Sequence, residues 1–246
     1  MHCFRCVKRI QTIQAFRVKF VSLTVSGSEP EGLLEVSQSM TDYFQNYSNA
    51  FLGLLESVVV TDQGGQELDR NAAFERLCAL SGKVAEKNGT QFFCGNGASA
   101  AFSNHMAIDW SKNGRVSTRS FSDSSLLTAI ANDMGADEMF AAPLSFYGRA
   151  GDLLTTISSS GNSPNILKVI GRGRELSLGI VTFSGLKEDN ASRKLGDLNF
   201  YVPGKTYGMV ECVHQVLLHL WLDRYMGITE WDRTIVQNMR QEAYQL

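Results

Sequence analysis

The alternation of apolar and polar positions changes character near Gly89. Before it, apolar residues recur at three-and-four spacing. Phe44, Tyr47, Phe51, Leu54, Leu55 and Val58 form one stripe, which predicts a helix opening at Thr41 or Asp42 and suited to packing or self-association. Phe74, Leu77, Leu80 and Val84 form a second stripe and predict a helix over 69–88, stopped by Asn88-Gly89. After Gly89 come short apolar runs closed by Gly, Ser or Asp. "TQFFCG" at 90–95, "VSTRSFS" at 116–122, "DLLTTIS" at 152–158, "LGIVTFSG" at 178–185 and "LNFYVPG" at 198–204 read as five strands. The segments between and after them, "ASAAFSNHMAIDWSK", "SSLLTAIAND", "ADEMFAAPLSFYG", "SPNILKVIGRGREL" and "YGMVECVHQVLLHLWLDRY", read as helices. Such alternation predicts an α/β protein with a parallel, doubly wound sheet covered on both faces, whose ligands bind outside the carboxyl ends of the strands.

Composition narrows the setting. The 246 residues are 43% hydrophobic and 20% charged, enough for one sizeable core, and no apolar run approaches the roughly 20 residues that span a bilayer. A formal net charge of -2 gives no basic field for nucleic acid. Five scattered cysteines do not resemble a disulfide framework, so a reducing compartment, the cytoplasm, is expected. Charge is uneven: Arg5, Lys8, Arg9, Arg17 and Lys19 are accompanied by no acid before Glu29. Residues 1–39 are therefore expected to be an extension and residues 40–246 a single domain beginning at Met40. Cys3 and Cys6 make one CxxC beside His2, without the second ligand pair of a structural zinc site.

Two strand-to-helix junctions carry the candidate chemistry. In "ISSSGNSPN", residues 157–165, Ser158, Ser159, Ser160 and Ser163 supply hydroxyls, Gly161 allows close backbone approach, and Pro164 suits a first helical turn. The helix that follows offers unpaired N–H groups and the positive end of its dipole, so the junction predicts a phosphate cradle. "CGNGASAAF" at 94–102, with Asn96, Gly97, Ala98 and Ser99, repeats the arrangement. Neither fits GxxxxGK[ST], which disfavours a Walker-type nucleotide loop. On the helix opening at Ala98, His105 and Asp109 share a face at i and i+4. On the last helix Glu211 and His219 lie two turns apart on roughly one side, and His214 points to another part of the surface.

"GNGASAA", "TAIANDMG", "GDLLTTISSSGNSPNILKVI" and "LGIVTFSG" together resemble the sugar isomerase (SIS) domain, and within it the phosphoheptose isomerase group, over residues 41–228. The resemblance implies a three-layer α/β/α fold with a five-stranded flavodoxin-like sheet and N-terminal helices. It also implies a homotetramer with sites between subunits, and a phosphosugar ligand held by Asn96, Gly97, Ala98, Ser99, Ser158, Ser159, Ser160 and Ser163. Asn132 and Asp133 match a substrate-contacting pair, and read without the resemblance they are as well explained as a helix end before Gly135.

The isomerases keep a histidine and a glutamate matching His105 and Asp109, and a glutamine and a histidine matching Glu211 and His219. The resemblance therefore implies a zinc site of His105, Asp109, Glu211 and His219, with Asp109, Glu211 and His219 in acid–base roles. Asp109 and Glu211 depart from that pattern, the first by one methylene and the second by a charge. The expected activity is conversion of sedoheptulose 7-phosphate to D-glycero-D-manno-heptose 7-phosphate. The alternatives are the same chemistry on another sugar phosphate, or a non-catalytic phosphosugar-binding module that regulates or scaffolds a partner, as in relatives that associate with the bacterial replication initiator.

Overall fold

The computed structural model describes residues 42–229 together with Trp231. The expected extension 1–39, with its Cys3 and Cys6, and the expected starts at Met40 and Thr41 lie outside the described residues. By its contacts the chain divides into Met1–Phe44 and Gln45–Leu246. Of the first unit only Asp42, Tyr43 and Phe44 are described.

Helix α1 (Tyr43–Glu56) leads into β1 (Val59–Asp62), and α2 (Arg70–Glu86) into β2 (Gln91–Gly95). Then follow α3 (Ala98–Lys112), β3 (Thr118–Ser120), α4 (Ser124–Asp133), a 3-10 turn (Ala136–Glu138) and α5 (Ala141–Tyr147). The last part runs β4 (Leu153–Ser158), α6 (Pro164–Glu175), β5 (Gly179–Gly185), a second 3-10 turn (Ala191–Lys194), β6 (Leu198–Val202) and α7 (Tyr207–Met226). Asp69 caps α2, its carboxylate accepting the Ala72 N–H at 3.1 Å. Helix α7 ends at Gly227 in the left-handed region.

The sheet order is β1-β6-β5-β4-β2-β3. The five expected strands are all present and pair in parallel, in the flavodoxin-like order. One correction concerns their number. β1 is a sixth strand, antiparallel to β6, with Val60 opposite Phe200. The stripe that predicted a helix through Val58 stops at Glu56, because Val58 and Val60, 4% and 1% exposed, turn into the core as extended chain.

Side-chain alternation across the strands builds two cores. Leu153, Ile157, Val181 and Phe183 face one way and pack with Leu77 of α2, Met106 and Trp110 of α3, and Leu217 and Trp221 of α7. Leu154 and Ile180 face the other way and meet Leu144 of α5 and Ile166, Val169 and Ile170 of α6. The result is the expected three-layer α/β/α arrangement. Phe51, Leu54 and Leu55 of α1 are half-buried against the first core.

The strand order fixes where a ligand can enter. β2 and β4 are neighbours in register from Gln91 opposite Leu153 to Gly95 opposite Ile157. The chain leaves β2 through α3 toward β3, and leaves β4 through α6 toward β5, so the two crossovers part in opposite directions. A crevice opens at such a switch point, beyond the carboxyl ends of the two strands. Both glycine- and serine-rich junctions stand there.

Candidate active site

The first junction is shaped by close approach. A Cβ on Gly95 would lie 2.6 Å from the Ser99 Cβ and 2.7 Å from its carbonyl carbon, so only glycine lets the first turn of α3 close over the end of β2. Gly97 is the N-cap and contributes no side chain to capping. Ala98 opens the helix, and Ser99 is buried beneath it.

The second junction is a latched loop. The Gly161 N–H donates to the Ser158 carbonyl and hydroxyl, at 2.9 and 3.2 Å. Gly161 has φ +62°, and a Cβ there would overlap the Asn190 side chain, 2.0 Å from its Oδ1. Asn190 is fully buried and donates to the Gly185 and Lys187 carbonyls. The Ser192 N–H donates to the Gly161 carbonyl, and the Ala191 N–H to the Asn162 Oδ1. Ser163 caps α6 without a side-chain capping bond, and Ser159 keeps a buried hydroxyl with no hydrogen-bond partner. The Ser158 and Ser160 hydroxyls accept backbone N–H groups within the loop, while those of Ser159 and Ser163 are left over for a ligand.

Of the acid–base candidates, three converge. His105 Nε2 lies 3.3 Å from His219 Nε2 and 3.2 Å from Asp109 Oδ2. One donor atom from each of these three residues falls within 4.8 Å of the others. Helix α3 supplies two of them by its i, i+4 spacing. Helix α7 brings the third because the two helices are pinned by Trp110 against Trp221 and Tyr225, ring centroids 4.8 and 4.9 Å apart. Glu211 is half-buried, about 12 Å before His219 along the helix axis, and is not one of the converging groups. Two imidazoles and a carboxylate are a donor set that could hold a divalent cation.

The remaining candidates are placed differently. Asn132 and Asp133 form the exposed last turn of α4 and bond to each other at 2.7 Å. The 3-10 turn just beyond them is tied to α6 by Lys168, which pairs with Asp137 at 2.7 Å and Glu138 at 2.8 Å. His214 is fully buried, with Nε2 3.1 Å from the Ser184 carbonyl at the end of β5. Burial pushes its pKa down to about 4. Cys94 is buried and its thiol pKa pushed far up by that burial, as suits a small core residue, whereas Cys212 is exposed.

Two residues escaped sequence reasoning. Asn165, in the first turn of α6, exchanges two side-chain hydrogen bonds with Asn96, at 3.0 and 2.8 Å. Asn190 packs against Gly161 from a loop nearly thirty residues away. Neither has a local spacing signal, since each acts across a tertiary contact.

This chain belongs to the SIS domain family, whose model matches residues 57–185. Among the proteins it resembles are phosphoheptose isomerases. That of Fusobacterium nucleatum is 30% identical over 164 residues, 64% of this chain and 84% of the relative. One from Helicobacter pylori is 30% identical over 179 residues, 70% and 90%. The structure of a phosphoheptose isomerase from Neisseria gonorrhoeae shares the fold with a TM-score of 0.65 at 24% identity, covering 78% of this chain and all of that one.

Proposed function

We propose that this protein is an aldose–ketose isomerase of sugar phosphates, and that it interconverts sedoheptulose 7-phosphate and D-glycero-D-manno-heptose 7-phosphate. The observation that carries the reading is the convergence of His219, from α7, on His105 and Asp109 of the helix that starts at the glycine-rich junction. A cradle alone serves a binding module equally well; an imidazole in reach of both a carboxylate and a second imidazole is the equipment of proton transfer. The names of the relatives support the substrate class and, more narrowly, the heptose.

The phosphate docks on Ser99, Ser158, Ser159, Ser160 and Ser163 and on the N–H groups at the starts of α3 and α6, with Gly97 and Ala98 giving backbone access. His105 lies seven residues into α3, about 10 Å along the axis from Ala98, a span that a long sugar chain fills. Asn96, Asn132 and Asp133 are assigned to the hydroxyls. Asp109 removes a proton from C1 of the ketose while a histidine N–H donates to the C2 carbonyl oxygen, giving an enediol. The carbon-bound proton returns at C2 and the O1 proton leaves to a histidine, closing the aldose. Removing a proton next to a carbonyl is feasible because the charge moves onto oxygen, where the imidazole N–H meets it. Glu211, two turns before His219, is assigned to the edge of this site.

A zinc ion fits the same three residues. With bonds of about 2.0–2.1 Å, adjacent donors of a tetrahedral zinc site lie roughly 3.3–3.4 Å apart, matching the 3.3 and 3.2 Å separations at His105 Nε2. His105, Asp109 and His219 would hold it with a position left open for the substrate. When bound, the metal would polarise the sugar carbonyl.

We assign the active form to a cytoplasmic homotetramer. In support of a non-membrane setting, no helix of the described residues is long and apolar enough to cross a bilayer.

A coupled assay with sedoheptulose 7-phosphate, on protein as purified, after chelation and after zinc is restored, tests both parts. Turnover lost to chelator and regained with zinc is expected. Turnover indifferent to chelator would leave acid–base residues alone, and absence of turnover in a folded protein that binds the sugar phosphate would favour the regulatory module.

A further inference from the structure

Asn96 and Asn165 are 69 residues apart, one on each side of the crevice between β2 and β4. Asn96 precedes the N-cap of α3; Asn165 is the second residue of α6, and the two helices pack on opposite faces of the sheet. Their amides bond reciprocally: Asn96 Nδ2 donates to Asn165 Oδ1 at 3.0 Å, and Asn165 Nδ2 donates to Asn96 Oδ1 at 2.8 Å. Asn165 Oδ1 also accepts the Ile166 N–H at 3.0 Å, so its two lone pairs are both used.

Asn96 is exposed and Asn165 only half-buried, so water would satisfy either amide if they were apart. A pair of this kind contributes little to folding, and its effect is geometric. It fixes the start of α3 against the start of α6, so the N–H groups of both helices face one ligand at a set separation. Each amide also keeps one N–H outside the pair, which leaves two donors at the mouth of the crevice.

We propose that Asn165 is a positioning residue for the phosphosugar, acting through Asn96 to hold the two loops in register. This rests on the function proposed above. The strut aligns the halves of the cradle before the ligand arrives, so its loss is felt in binding rather than in the proton transfer some 10 Å along α3.

The test is a double-variant cycle of Asn96→Ala and Asn165→Ala in the full-length protein. It reads the dissociation constant of inorganic phosphate, KM and kcat for sedoheptulose 7-phosphate, and the melting temperature. Asn165→Ala is expected to weaken phosphate binding and raise KM about tenfold, with kcat changed less than threefold and melting little altered. The double variant should bind no worse than the poorer single variant, because both break one strut. Should Asn165→Ala fail to fold, Asn165→Ser, whose hydroxyl still serves the start of α6, takes its place in the cycle.

Additive losses, unchanged phosphate affinity in the Asn165 variant, or a loss confined to kcat would each overturn the proposal. Wild-type protein that binds neither phosphate nor the sugar would instead overturn the functional reading, a separate outcome.

Discussion

His105 and His219, 114 residues apart in sequence, meet ring nitrogen to ring nitrogen, Nε2 to Nε2 at 3.3 Å. Two Nε2 atoms at that distance cannot both carry a proton toward each other, so at most one of them donates. The pair is held ready either to share a proton or to present two lone pairs to a cation, and Asp109 lies 3.2 Å from the same His105 nitrogen.

Replacing His219 with Ala or Asp109 with Asn is expected to lower kcat by roughly 100-fold or more, the usual contribution of a positioned acid or base. Phosphate binding should survive, because neither side chain belongs to the loops at the crevice. Steady-state kinetics alongside phosphate titration separates the two effects; retention of full turnover in both variants would remove these residues from the mechanism.

Gly161→Ala should disrupt the serine loop rather than the catalytic cluster. The added methyl would overlap Asn190 and would also force a non-glycine residue to φ +62°. A cost of about 1–3 kcal/mol is expected from the backbone strain alone. The variant should melt several degrees lower and bind phosphate more weakly in calorimetry.

His214 gives the fold a predictable acid sensitivity. Its pKa in the folded protein is about 4, against about 6.5 in the unfolded chain, so between those values only the unfolded state takes up the proton. Stability from this group is therefore complete above about pH 6.5 and falls as pH drops toward 4. The slope is about 1.4 kcal/mol per pH unit and the loss about 3 kcal/mol in all. Urea unfolding across pH 4–7 should show that slope, and His214→Leu should flatten it whatever its effect on absolute stability.

The parallel core was legible because strands buried on both faces read as continuous apolar runs, as "QFFCG" does at β2, where all five residues are buried. β1 was not, because Val58 falls in phase with the helical stripe before it and no glycine or proline intervenes. His105 and Asp109 were legible as a pair, since i, i+4 spacing on a helix is a local geometry. That His219 joins them while Glu211 does not was decided by the packing of Trp110 on Trp221, which no spacing in one helix encodes. Asn165 and Asn190 stayed hidden for the same reason: each works through a partner brought close only by the folded sheet.

The sixth strand also bears on solubility. β6, "LNFYV", is buried along its whole length, and without β1 one side of its backbone would present open hydrogen-bonding groups beside apolar side chains. Such an edge is a template for pairing with another chain. β1 closes it, and at the opposite margin β3 is only three residues long, with Arg119 exposed in its middle. A form of the protein beginning after Asp62 would retain both serine- and glycine-rich junctions and the histidine cluster, yet it would uncover that edge and aggregate.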